Sequence, residues 1–214
     1  MTAPTYIVAI EGLDALRFLE DIPASVKRRA LQAVNKTTRD GRVMVSRAVR
    51  AQVAFTATYV GPSSGRLTAI PAKSTDKMEG LIRARTEPTS LARFTKQKPL
   101  AKGQRPRRGK GVRVTVKPGV AKYVRDAFVV RLPSGKGGPL GNLGLAVRQA
   151  DPPKGAYKPK RLGENVWLLY GPSVSQVMYS ERNRGGVADE IAPSLADKLE
   201  NEFVRLLDLD IRDA

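Results

Sequence analysis

Between residues 23 and 54 the chain carries a helical stripe that dictates much of what it can become. Wound at about 100° per residue, Val26, Ala30, Val34, Thr37, Gly41, Met44, Ala48, Gln52 and Phe55 fall within roughly a quarter turn. Arg28, Lys36, Arg39, Arg42, Arg47 and Arg50 fall on the opposite side. The pattern predicts one long helix over 23–54 with a packed face and a basic face, and Pro23 suits its first turn. Gly41 weakens such a helix by about 1 kcal/mol relative to Ala, so a bend is allowed there. The packed face is mostly Ala, Thr, Gly and Val. That suits contact with protein better than the Trp, Phe and Leu of a helix lying on a membrane.

The rest of the chain reads as shorter pieces. Tyr6-Ile-Val-Ala-Ile10 is a strand, and Asp14 can cap a short helix ending near Asp21. Val60-Gly-Pro-Ser-Ser-Gly65 is a turn. Alternation or short apolar runs predict strands at Leu81-Ile-Arg-Ala-Arg85, Val112-Arg-Val-Thr-Val116, Ala127-Phe-Val-Val-Arg-Leu132, Leu143-Gly-Leu-Ala-Val-Arg148 and Val166-Trp-Leu-Leu-Tyr170. The sole Trp, Trp167, is expected to anchor a core. A short helix begins near Val174, where Ser173 can cap it. A C-terminal helix over 187–208 places Ile191, Leu195, Leu199, Phe203 and Leu206 at helical spacing, with Pro193 near its start. The expected fold is α+β, a single domain over 1–214. A mainly antiparallel sheet of about four to six strands, most of them within 112–170, packs against the long N-terminal helix, beside a C-terminal helix and long basic loops.

Charge is laid out unevenly. The 214 residues hold 38 Lys and Arg against 20 Asp and Glu, a formal +18. Twelve of the cations lie between Pro88 and Arg125 with no acid among them, whereas eight acids face three cations over 189–214. A net charge of this size implies an anionic partner or dense packing among other subunits. A basic middle and an acidic end let two copies meet head to tail, a heterologous contact that closes into a ring if its rotation allows.

Composition also excludes chemistry. With no His and no Cys there is no Ser-His-Asp or Cys-His catalysis, no imidazole or thiolate metal site and no disulfide. No pair of carboxylates stands out as a general acid and base. No catalytic residue, metal ligand or cofactor site is therefore assigned, and the chain is not expected to be an enzyme. No apolar run approaches the ~20 residues of a membrane span. The N-terminus lacks a positive region before its apolar stretch, so no signal peptide is read and synthesis in the cytoplasm is expected.

The tract over 95–111 has too few apolar residues to pack and reads as an extended basic arm. It contains no aromatic residue between Lys96 and Gly111 on which a base could stack. A second glycine-rich loop over 133–141 fails the phosphate-loop pattern, because no Ser or Thr follows Lys136. Candidate contacts for an anion or a neighbouring subunit are Arg39, Arg42, Arg47 and Arg50 on the helix, with Lys102, Arg105, Arg107, Arg108 and Lys110 on the arm.

Leu91-Ala-Arg-Phe94, then Asp126-Ala-Phe-Val-Val-Arg131, then Leu169-Tyr-Gly-Pro-Ser-Val-Ser-Gln-Val-Met178 follow one another after a long basic helix and before a last helix. In that order they resemble the minor tail protein Z family of tailed bacteriophages, over roughly residues 23–207. Gly171, Pro172 and Ser173 are the core of the motif, and strand break, preset turn and helix cap explain them locally as well. Two features depart from the family: the long basic insert over 96–111, and Leu145-Ala146 before Val147 where an aromatic is more typical. The resemblance implies a virion structural protein, a minor tail or tail-completion protein at the head-proximal end of the tail. It would act in tail assembly and head-tail joining as a homo-oligomer, a ring, beside the tail terminator and connector, with packaged DNA within reach and no membrane partner. Its location would be the virion, and the host cytoplasm during assembly. The alternative from charge alone is a basic nucleic-acid-binding protein unrelated to virions.

Overall fold

The computed structural model describes residues 7–9, 23–101, 103–104, 109–132, 143–154, 157–179 and 186–212. The expected helix capped by Asp14 and the loop over 133–141 lie outside the described residues. The chain divides into two compact units. One takes in Met1–Arg50, Thr56–Thr86 and Val174–Ala214, the other Ala51–Phe55 and Glu87–Ser173. The chain passes between them at 50/51, 55/56, 86/87 and 173/174.

The first unit contains strand β1 (Ile7–Ala9), helix α1 (Ala24–Gln52), strands β2 (Leu67–Ile70) and β3 (Leu81–Ala84), and helices α2 (Val174–Met178) and α3 (Gly186–Arg212). Its sheet has the order β1-β3-β2, antiparallel throughout, with Val8 opposite Ile82 and Ala69 opposite Ile82 from the other side. Central Ile82 is fully buried. The buried residues of α1 are Ala30, Ala33, Val34, Thr37, Thr38, Gly41, Val45 and Val49. The stripe thus matches the expected face as far as Gly41 and then turns: Val45 and Val49 take the core, and Met44 and Ala48 are only half-buried. From Thr37 the row advances in steps of four, so it drifts around the helix by about 40° per step, the path of a packing ridge.

Gly41 lets α1 come close to its neighbours. A Cβ there would stand 2.8 Å from Leu195 Cδ2 on α3 and 3.0 Å from Ile82 Cδ1 on β3. Nearby, Ala33, Val34, Ala72, Leu199 and Leu206 form a core flanked by Leu31, Met78 and Phe203. Asn35 Nδ2 donates to the Ala72 carbonyl at 3.1 Å. α3 runs unbroken through Pro193, whose ring removes one backbone donor and is absorbed within the helix.

The second unit holds β4 (Thr89–Ser90), β5 (Gly111–Lys117), β6 (Val120–Arg125), β7 (Ala127–Arg131), β8 (Leu143–Arg148), β9 (Lys160–Gly163) and β10 (Val166–Gly171). Five strands form one antiparallel sheet in the order β4-β10-β8-β7, with β9 also on β10. β5 and β6 form a separate two-stranded ribbon, closed by the turn at Gly119 with φ 75°. Antiparallel strands with long N- and C-terminal helices make this an α+β fold. Among the described residues its strands are shared among three sheets, and the long helix packs on β3.

Phe128, Ala146 and Leu168 form the core of the five-stranded sheet, with Leu100, Val130, Leu132, Val166 and Tyr170 packed around them. Trp167 is not the anchor expected of it. It is half-buried, and its Nε1 donates to the Gln149 carbonyl at 3.1 Å; period two places its neighbour Leu168 inside instead. Leu91–Phe94 forms a 3-10 turn whose N-cap Ser90 accepts from the Ala92 backbone N–H. The helix α1 stops at Gln52, so Phe55 leaves the expected helical stripe and packs against Phe94, ring centroids 5.6 Å apart and planes tilted by 44°.

Candidate assembly surfaces

The exposed side of α1 presents Arg28, Lys36, Arg39, Arg47 and Arg50. Arg39 folds back on its own helix, Nε donating to the Asn35 carbonyl at 3.1 Å. Arg42 does not belong to this face: it is half-buried, and its Nη1 donates to the Val60 carbonyl at 3.4 Å. Its expected role as an outward contact is therefore withdrawn. Lys36 reaches Glu202 of α3, which also takes two hydrogen bonds from Arg205. Hydrogen bonding from Arg205, then from Lys36, holds the Glu202 carboxyl down at about 2. Burial, then the charge of Asp189, raises the pKa of the Tyr179 phenol.

Of the arm residues, Lys110 is exposed, and Lys102, Arg105, Arg107 and Arg108 lie outside the described residues. The described ends of the arm are fastened to the second unit. Leu100 packs on the core of the second unit and its N–H donates to the Val129 carbonyl at 2.9 Å. At the other end the Gly109 N–H donates to Asp126 Oδ1 at 2.9 Å, and Asp126 holds a left-handed φ of 55° between β6 and β7. One apolar residue in a polar tract is enough to dock it, a signal too small for composition to carry.

The motif at Gly171, Pro172 and Ser173 is internal. Gly171 closes β10, where a Cβ would stand 3.0 Å from Leu91 Cδ2, and Ser173 is fully buried ahead of α2. The strand–turn–helix account of these residues fits their positions; an exposed binding role does not.

The structure adds a ribbon face that was not singled out from sequence, and it arranges the acidic end on one side of α3. In the β5–β6 ribbon, Arg113 lies directly opposite Tyr123, and Gly111 opposite Arg125. Val112 and Val114 point inward, so Gly111, Arg113, Tyr123 and Arg125 share the outward face. The Tyr123 ring lies across Gly111, whose added Cβ would come within 2.8 Å of Cζ. Tyr123 is 60% exposed, and among the described residues β6 pairs with β5 alone. On α3, Asp189, Glu190, Asp197, Glu200 and Asp208 are exposed within an arc of about 100°, with exposed Val204 among them. Lys198 and Arg205 fall outside that arc. The signal for the ribbon was a Tyr in a basic run, placed opposite Arg113 by the Lys117-Pro-Gly119 turn.

Among the described residues no group of three or more Asp or Glu could hold a metal ion, and no helix is long and apolar enough to cross a membrane. No family model, curated protein or solved structure matches the chain.

Proposed function

We propose that this chain is a structural subunit of a tailed-bacteriophage virion, a minor tail or tail-completion protein at the head-proximal end of the tail. It acts by assembly rather than by catalysis, as a homo-oligomer that also meets other tail and neck proteins. The observation that carries the reading is the separation of exposed charge. A basic ribbon and a basic helix face stand on the same chain as a helix face of five carboxylates. Unlike surfaces on one subunit are what a heterologous contact requires. The order of basic helix, LARF turn, strands and Gly171-Pro172-Ser173 element supports the virion reading through the resemblance already described. Co-sedimentation with purified tail tubes tests it: the protein pellets with the tubes at about 0.15 M salt. A protein that stays monomeric in the supernatant speaks against the reading.

A second reading is favoured by Tyr123 between Arg113 and Arg125 on the outward face of the ribbon. A two-stranded ribbon fits a DNA major groove, and an exposed aromatic offers a base a stacking surface. Binding to DNA with log K falling steeply in log salt, without any affinity for tail tubes, would put nucleic acid first.

A further inference from the structure

We infer that the outward face of the β5–β6 ribbon docks on the acidic face of α3 in a second copy of this chain. The inference rests on the reading of the chain as an assembly subunit and names the contact that joins its copies.

β6 is an unusual strand to leave uncovered. Five of its six residues are exposed, and one of its edges has no strand beside it among the described residues. Sheet edges of this kind are normally blunted or covered. Arg113 and Arg125 charge the ribbon's outward face and the exposed Tyr123 ring shares it, while period two puts Val120 and Lys122 on the other side. An occupant has to supply carboxylates for the cations and an apolar group for the Tyr123 ring.

The face of α3 supplies both. Asp197, Glu200 and Asp208 surround Val204, which is 51% exposed. Among the described residues none of these carboxylates is in an ion pair, unlike Glu202 on the inner flank of the same helix. The dimensions agree: the six residues of β6 extend about 17–20 Å, and Asp197 to Asp208 spans about 16 Å of helix. A nucleic-acid partner would cover the ribbon and be repelled by α3. A second copy covers both, since every copy carries one of each. The contact is heterologous, so copies add head to tail and close into a ring when the rotation permits.

Exposed pairs contribute little singly, so the test reverses two charges at once on each face. The variants are Asp197→Lys with Glu200→Lys, and Arg113→Glu with Arg125→Glu, checked for folding by circular dichroism. In sedimentation velocity at about 0.1 M salt the parent chain self-associates. Each variant associates at least about tenfold more weakly, because like charges then face each other, and a 1:1 mixture of the two recovers the parent's association. If charge reversal unfolds either variant, Asp197→Asn with Glu200→Gln and Arg113→Gln with Arg125→Gln give the same comparison, with weakening on both sides expected.

A monomeric parent overturns the inference, as do variants that associate like the parent or a mixture that recovers nothing. If the ribbon variant loses binding to a DNA duplex or single strand while self-association is unchanged, the ribbon is a nucleic-acid face and the inference is overturned. Variants that associate normally while the parent still binds tail tubes remove this contact and leave the virion reading standing. A parent that does neither removes both.

Discussion

Gly41 of α1 stands so close to Leu195 of α3 that a Cβ on the glycine would lie 2.8 Å from Leu195 Cδ2. Leu195 is 3% exposed and Ile82, 3.0 Å from the same point, is fully buried, so neither has free space to swing into. The residue that weakens α1 as an isolated helix is the one that lets helix, strand and helix meet.

Gly41→Ala should therefore fail to stabilise the protein. The gain of about 1 kcal/mol in helix propensity is set against an overpacking cost of about 1–3 kcal/mol. The net is a loss of roughly 1 kcal/mol, read from urea unfolding followed by circular dichroism. Gly80→Ala loses more, about 2–3 kcal/mol, because its Cβ overlaps the Thr38 hydroxyl that donates to the Val34 carbonyl. Thr38→Ala should restore part of that loss, and a double-mutant cycle measures the coupling.

The Lys36–Glu202–Arg205 cluster makes stability depend on acid. Glu202 is lowered from 4.5 to about 2 by its hydrogen bonds, so its ionised form is favoured in the folded chain. The contribution is fully present above pH 4.5 and is lost as the pH falls toward 2. Both cations are more than half exposed, so solvent screening holds the effect to about 1 kcal/mol or less. Thermal unfolding of Glu202→Gln should show a flatter pH dependence across that window. Parent and variant should converge near pH 2.

Leu100 tests whether the arm is docked. Leu100→Ala should destabilise the second unit by about 1–2 kcal/mol, less than for a fully buried leucine because the side chain is half-buried. Trp167 fluorescence follows the loss, since it lies in the same unit on β10. No change in the unfolding midpoint would mean that the segment is free.

Periodicity made α1, α3, β3 and β5 legible, because each has a face inside and a face outside, whereas β7, β8 and β10 were legible as short apolar runs. β6 and β9 carry no such pattern: Lys160-Arg-Leu-Gly163 is exposed along its length, and Val120–Arg125 nearly so. They exist through their pairing with β5 and β10, which local sequence does not encode. The same distinction governs the candidate surfaces. Local charge density was readable, whereas the meeting of Arg113 with Tyr123 depends on strand register, and the inward turn of Arg42 depends on the Val60 carbonyl beside it.

The central claim is that this chain works as an assembled part of a phage tail. The most direct measurement is electron microscopy of purified particles with the subunit identified by a label on its exposed ribbon turn. The account predicts repeated copies at the head-proximal end of the tail. Particles that contain no copy of the chain would contradict it.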